Sequence, residues 1–385
     1  MGYFKSKIIK EVEDTRLIIA CMTKMISFSV NIIKGVYKGY INHDKIIAWS
    51  NGCPVYSSFS PPALSKVQAN MEARNTISIM QNRKHPNMIN IAITDKCNCN
   101  CIHCSFKSMK LHQQKRKVLN TNQIKKVIHD AQQLGVCTIM FSGGEPLMRK
   151  DIYKLIKSVD KDLSVTLLFT NGWFLKENVK KLKKAGLNSV NVSIDSSIPK
   201  KHDLLRNKKR LFLKTIEGIK AAKKQGLIVG ISSCLSKKQV ESGELDDIIR
   251  LGKKLKVNEI IIFDNIPTGK LIHRNDIIND QSWTQNIIDI VNKYNKRYDF
   301  PAVYSYSHIK SYKGLGCSGG TTFFYVSPYG DICPCDFNPL VIGNVLKTPL
   351  YLIWDKLSHM KEFNQASFKG CKMLDQSYRK KFLKI

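Results

Sequence analysis

The chain has 385 residues, of which 62 are Lys or Arg and 30 are Asp or Glu, giving a formal net charge of +32 with histidine neutral. Its 43% hydrophobic and 9% aromatic content supplies a sizeable core, which excludes a disordered polymer or a collagen-like fibre, and the length allows two or three domains. A basic surface attracts phosphates, but only 11 of the 62 basic residues are Arg and the Lys are scattered among Ile and Asn. The charge therefore reads as solvated helix faces, with a field that favours an acidic partner or anionic ligand over nucleic acid.

Leu17 to Ile33 is apolar but interrupted by Thr23, Lys24, Ser27, Ser29 and Asn31, which excludes a membrane span or signal core and predicts a buried amphipathic helix. Met1, Gly2 and Ser6 fit the loose myristoylation pattern, a marginal anchor by itself, and the protein is expected to be cytoplasmic. Turn-rich patches at Asn51 to Pro54 and Ser57 to Pro62 mark residues 1–88 as an accessory or cap region.

From residue 89 short apolar runs alternate with amphipathic stretches, as in βα units around a parallel sheet. The predicted strands are Ile89 to Thr94, Val136 to Phe141, Ser164 to Phe169, Ser189 to Ile194, Leu227 to Ser233 and Asn258 to Phe263. Gly135, Gly186 and Gly226 each precede a strand directly, where a left-handed residue would end the preceding helix. Six units fall short of the eight of a closed barrel, so residues 89–300 are predicted to form an α/β core, a partial (β/α)6 parallel barrel. Beyond Pro301, TTFFYVSPYGDICPC reads as a hairpin around Ser327 to Gly330 and begins a small cysteine-bearing domain over residues 301–385.

Twelve cysteines are too few for a disulfide scaffold of this length, and Cys97, Cys101 and Cys104 crowd the loop after the first core strand in a CxxxCxxC spacing. Loops at the carboxyl ends of parallel strands build active sites, and three thiolates can hold three irons of a 4Fe-4S cube, leaving the fourth iron open. Zinc is the alternative, but it asks for a further ligand pair, and the next cysteine is Cys137, with only His112 and His129 between. After the second strand comes SGGEP, Ser142 to Pro146. Gly143 and Gly144 allow close backbone approach to a ligand, and Glu145 can accept hydrogen bonds from an ammonium group. Asn171-Gly172 ends the third strand, and Ser193 and Asp195 share a face at the end of the fourth by their spacing of two.

CxxxCxxC after strand one followed by SGGEP after strand two resembles the radical S-adenosylmethionine (SAM) enzymes, over roughly residues 89–270. The resemblance implies that Cys97, Cys101 and Cys104 hold a 4Fe-4S cluster whose unique iron takes the amino and carboxylate groups of SAM, and that reductive cleavage yields a 5′-deoxyadenosyl radical. It further implies that Gly143, Gly144, Glu145 and Pro146 hold the methionine amino group, that Asn171, Ser193 and Asp195 reach the ribose or carboxylate, and that Arg206 of HDLLR pairs with the carboxylate. His202 and Asp203 are expected to cap or position that helix, and Pro267, Thr268 and Gly269 resemble the turn beside the adenine. Cys99, inside the loop, departs from the family pattern and is expected to be an idle thiol. Cys137 and Cys234 read as small core residues, and Cys21 and Cys53 belong to no constellation.

The C-terminal run from GCSGG through SPYGDICPC to IGNV and LIW resembles the SPASM or twitch extension, which implies an auxiliary iron–sulfur cluster on Cys317, Cys333, Cys335 and Cys371. A full SPASM domain ends in a further cysteine-rich run, whereas only Cys371 follows here, so one auxiliary cluster is expected. The resemblance implies hydrogen abstraction from a peptide, as in a peptide maturase, with reduced ferredoxin or flavodoxin as electron donor. A small molecule such as a tetrapyrrole or cofactor precursor is the second expectation. A noncatalytic metal-binding nucleic-acid module is a distant third.

Overall fold

The computed structural model describes residues 43, 45–107, 116–278, 281–310, 314, 316–363 and 370–384. The predicted helix at Leu17 to Ile33, the motif at Met1 to Ser6, Cys21 and His112 lie outside them. Among the described residues no helix is long and apolar enough to cross a membrane.

Two strands, β1 (Ala48–Ser50) and β2 (Cys53–Val55), open the described chain as a hairpin. Asn51 and Gly52 both take positive φ, the two-residue turn that matches strand twist. Helix α1 (Lys66–Gln81) then leads to the core. Its strands are β3 (Met88–Ala92), β4 (Thr138–Ser142), β5 (Val165–Thr170), β6 (Ser189–Ser193), β7 (Ile228–Leu235) and β8 (Glu259–Asp264), pairing in parallel in that order. Between them run α2 (Thr121–Gln133), α3 (Ile152–Lys157), α4 (Leu175–Lys184), α5 (Pro199–Arg206), α6 (Leu211–Lys224), α7 (Lys237–Glu241) and α8 (Glu244–Lys254).

All six predicted strands form, within two residues of their predicted ends, and two more join them. After α9 (Gln281–Asn295), β9 (Ala302–Ser305) adds in parallel to β8. After α10 (Tyr306–Lys310), β10 (Phe323–Val326) adds in parallel to the far edge, on β3. The predicted hairpin follows as β11 (Asp331–Cys333), antiparallel to β10, then β12 (Gly343–Asn344) and α11 (Leu350–His359). The result is one open sheet of order β12-β11-β10-β3-β4-β5-β6-β7-β8-β9, with the linear order of a partial barrel. It runs without interruption through residue 301, because both flanking strands come from beyond that point.

The three predicted glycine stops have one geometry. Gly135, Gly186 and Gly226 have φ of +101°, +96° and +68°, and at each the glycine N–H and the next N–H reach back to the last helical turn, as in Gly135 to Gln132 O and Val136 to Ala131 O. These bonds satisfy carbonyls that the helix end leaves open. Helix α8 ends the same way at Lys256, whose φ is +55°, so a side chain occupies a conformation that suits glycine.

Alternation along the strands sorts their side chains. Ile89, Ile91, Phe141, Leu168, Val190, Val192, Ile231 and Ile260 are fully buried against the helices. Met140, Leu167, Ile261 and Tyr304 point inward with Phe59. At the amino-terminal end of the strands the interior is polar: Glu259 accepts from Ser57 Oγ and Ser58 N at 3.2 Å, and Asn191 donates to Ser58 Oγ at 3.1 Å. The segment around Phe59 thus plugs one mouth, and the chemistry-bearing loops gather at the other.

Candidate active site

Strand β3 leads into the cysteine loop, and three other elements fix that loop by its backbone. The amide N–H groups of Asn100 and Ile102 donate to Arg206 O and Leu205 O, at 3.2 and 3.0 Å, so the loop satisfies the last open carbonyls of α5. Lys270 N donates to Cys104 O at 3.0 Å. Glu145 N donates to Lys96 O at 2.7 Å and Gly144 N to Thr94 O at 2.9 Å. The glycines make this packing possible: a Cβ on Gly144 would stand 2.2 Å from Lys96 O, and one on Gly269 2.0 Å from Cys104 O. SGG and the Pro267 to Gly269 turn are therefore shaped first by contact with the cysteine loop.

Cys97, Cys101, Cys104 and Cys99 line one cavity of about 420 Å³ at the carboxyl ends of the strands. Gly143, Gly144, Asn171, Ser193, Arg206 and Thr268 share the wall, and so does Cys234, which stands at the end of β7 and not in the core as predicted. Burial pushes the Cys101 thiol up to about 11 and raises Cys104 as well. Cys99 is engaged: Asn171 Nδ2 lies 3.3 Å from its sulfur and 2.7 Å from Asn98 Oδ1.

Glu145, Pro146 and Asp195, expected at the ligand, stand behind the cavity wall. The Glu145 carboxylate accepts from Thr170 Oγ1 (2.7 Å), Asn171 N (2.8 Å) and Leu147 N (3.0 Å), so it sets the Asn171 turn. Burial lifts its carboxyl to about 7. Ser193 ends β6, so the period of two does not carry on to Asp195, which turns away from the cavity. Its carboxylate takes Arg206 Nε at 2.5 Å, His103 Nε2 at 3.2 Å and Cys234 N at 3.0 Å. Burial by itself would raise this acid, but the Arg206 charge holds it well below the usual carboxylate range. Burial would likewise lower Arg206, and Asp195 more than offsets it.

Two residues of this network escaped the sequence reading. His103 lies inside the cysteine loop and ties it to Asp195. Arg149, three residues past SGGEP, donates to Ile93 O at 2.6 Å, Leu119 O at 2.9 Å and both oxygens of Asp151. The spacing of His103 between two cysteines was the available signal for the first; Arg149 had none. His202 accepts from Asp195 N at 3.2 Å, while Asp203 caps the following helix through Arg210 N and Phe212 N, at 2.6 and 2.8 Å.

The inner half of the cavity is aromatic. Phe59, Phe169, Phe263, Tyr306, Phe323 and Phe337 line it, with Phe263 stacked on Tyr306 at 4.4 Å between centroids. Next to it the C-terminal cysteines divide. Cys335, raised chiefly by burial, also feels the charges of Asp336, Cys371 and Cys317. Cys333 is buried with Ala92 and Tyr325. Strand β11 ends at Cys333, so the two-residue alternation that would put Cys333 and Cys335 on one face stops at Pro334.

Residues 91–251 match the radical SAM superfamily, and residues 317–374 match the SPASM iron–sulfur cluster-binding domain. The chain belongs to the radical SAM superfamily. This radical SAM enzyme is 29% identical over 296 residues to the AdoMet-dependent heme synthase of Methanosarcina barkeri, covering 70% of this chain and 82% of the relative. It is 27% identical over 265 residues to a GTP 3′,8-cyclase of Clostridium botulinum, 65% of this chain and 81% of the relative. In fold it is similar to Streptococcus suis SuiB bound to precursor peptide SuiA, with TM-score 0.60, 17% identity, and coverage of 80% of this chain and 72% of that one. It is also similar to anSMEcpe with bound AdoMet, with TM-score 0.56, 16% identity, and coverage of 78% and 95%.

The superfamily brings a 4Fe-4S cluster and SAM, and the SPASM domain brings auxiliary iron–sulfur binding. The donor set fits: three thiols on one loop face a cavity with a buried guanidinium, an amide and glycines too tightly packed for a side chain.

Proposed function

We propose that this radical SAM enzyme abstracts hydrogen from a peptide, with one side chain of that peptide inserted into the aromatic half of the cavity. On this reading Cys97, Cys101 and Cys104 ligate the catalytic cluster, and Cys317, Cys335 and Cys371 ligate one auxiliary cluster. Arg206, Asn171, Ser193 and the backbone of Gly143 and Gly144 face SAM. Glu145 and Asp195 act as positioning residues through Asn171 and Arg206. The bound pair supplies a 5′-deoxyadenosyl radical. The protein contributes a fixed cysteine loop, a cation beside the carboxylate and an apolar wall that excludes water from the radical.

The aromatic lining carries the choice of substrate. Phe59, Phe169, Phe263, Tyr306, Phe323 and Phe337 form an apolar wall beside the cysteine loop, a surface that suits a single aromatic or aliphatic side chain. The likeness to a heme synthase over 82% of that relative favours a tetrapyrrole as the second reading. Anaerobically reconstituted protein is given SAM, dithionite and either a panel of peptides with aromatic or aliphatic residues or an iron tetrapyrrole. A peptide product lighter by two hydrogens, with 5′-deoxyadenosine made in step, supports the first reading. Turnover of the tetrapyrrole alone replaces it with the second.

A further inference from the structure

The cysteine loop has an outer side as well as a cavity side, and the outer side is apolar within a cationic rim. Ile102, between two of the cysteines, is 55% exposed, and Leu204 is 76% exposed. The two are held together because Ile102 N donates to Leu205 O at 3.0 Å. Leu204 shares the outward face of α5 with Lys200, four residues earlier, while His202 and Arg206 of the same helix point inward. Lys96, Lys200 and Lys209 supply the rim, and all three are exposed. Lys270 Nζ is fixed on the loop itself, 2.7 Å from Asn100 Oδ1. Asp203, the carboxylate within this stretch, is turned to backbone N–H groups.

We propose that this patch is where an acidic one-electron carrier protein, of the flavodoxin or ferredoxin kind, docks to reduce the cluster. The inference rests on the assignment of Cys97, Cys101 and Cys104 as cluster ligands. Exposed large apolar side chains ringed by one sign of charge mark a protein contact, and the sign selects an acidic partner. One electron leaves the reduced carrier and enters the cluster; no atom is transferred. The position gives the shortest route, since only the loop separates the patch from the cavity.

The test uses the full chain and a recombinant bacterial flavodoxin. Oxidised flavodoxin is titrated with the protein at low and moderate salt, and 5′-deoxyadenosine formation is followed with either reduced flavodoxin or dithionite. The variant is Lys200→Glu/Lys209→Glu with Leu204→Ser. The control, Lys180→Glu/Lys224→Glu, makes the same charge change on exposed lysines near the carboxyl ends of α4 and α6, at the opposite end of the strands. Expected is a loss of about tenfold or more in flavodoxin affinity and flavodoxin-driven rate for the patch variant only, with salt weakening wild-type binding and the dithionite-driven rate unchanged. Equal losses in patch and control variants, or an equal fall with dithionite, overturn the docking surface. If wild type makes no 5′-deoxyadenosine even with dithionite, the ligand assignment fails instead, and the titration still decides whether the patch binds the carrier.

Discussion

Asp195 sits at the junction of the cysteine loop, α5 and β7, and its charge is balanced by Arg206 and His103. Removing one partner of a buried ion pair leaves the other uncompensated, at a cost of about 3–5 kcal/mol. Arg206→Met is therefore expected to lower stability by that amount. Asp195→Asn added to it should restore much of the loss, and urea unfolding of the two singles and the double measures the coupling. The double variant should still bind SAM poorly, because the guanidinium that lines the cavity is gone from it. Glu259 is a second buried acid, far from the cysteines at the other mouth. Burial lifts it from 4.5 to about 7, so the folded protein holds its proton more tightly than the unfolded chain. That stabilisation is complete below about pH 4.5 and is lost as pH rises through about 7, a swing of about 3 kcal/mol. Urea midpoints at pH 5 and pH 8 should show the decline in the wild type and a flatter profile in Glu259→Gln.

At the scale of elements, helices end repeatedly on a left-handed residue: glycine at Gly135, Gly186 and Gly226, asparagine at Asn82 and Asn207 after α1 and α5, and lysine at Lys256 after α8. A left-handed side chain costs about 1–2 kcal/mol, partly offset by the greater unfolded-state freedom of glycine. Lys256→Gly should raise stability by about 1 kcal/mol, and Gly226→Ala, where nothing would touch the new Cβ, should lower it by a similar amount. Thermal unfolding of both variants checks the pair. Glycine before an apolar run was what made the βα units legible, together with the apolar run lengths, and the six core strands formed as those signals required. Strands β9 and β10 were not legible as sheet members, because a four-residue apolar run carries no record of its partner. The Asn51-Gly52 hairpin was readable as a turn, and its two positive φ values follow from that dipeptide. Site residues were legible where spacing encodes a shared loop, as for Cys97, Cys101 and Cys104. They were misplaced where a strand ended early, as for Asp195 and Cys333. Glu145 was misplaced for a different reason: its sequence position does not say whether a carboxylate faces the ligand or the turn that faces the ligand.

Over the whole molecule, two groups of cysteines lie on either side of a single cavity wall, and their ligand sets separate by substitution. Cys335→Ser and Cys317→Ser are expected to lose about four irons per chain after reconstitution, while Cys333→Ser keeps them, and iron and sulfide analysis with electron paramagnetic resonance of the reduced protein reads the difference. A Cys333→Ser protein that loses the same iron would return Cys333 to the ligand set.

The strand that covers the edge of β3 is β10, whose residues Phe323 to Val326 register with Met88 to Ile91. Nearly the whole length of the core lies between the two in sequence. During synthesis, the βα units can pair in the order in which they emerge, yet one edge of the growing sheet stays unpaired until the SPASM region has left the ribosome. An unpaired edge is a template for association with other chains. Overproduction in a host that terminates translation early should therefore yield aggregates of the core and not a soluble, shortened enzyme, and the hairpin at the C-terminus acts as the last step of folding for a strand made near the beginning.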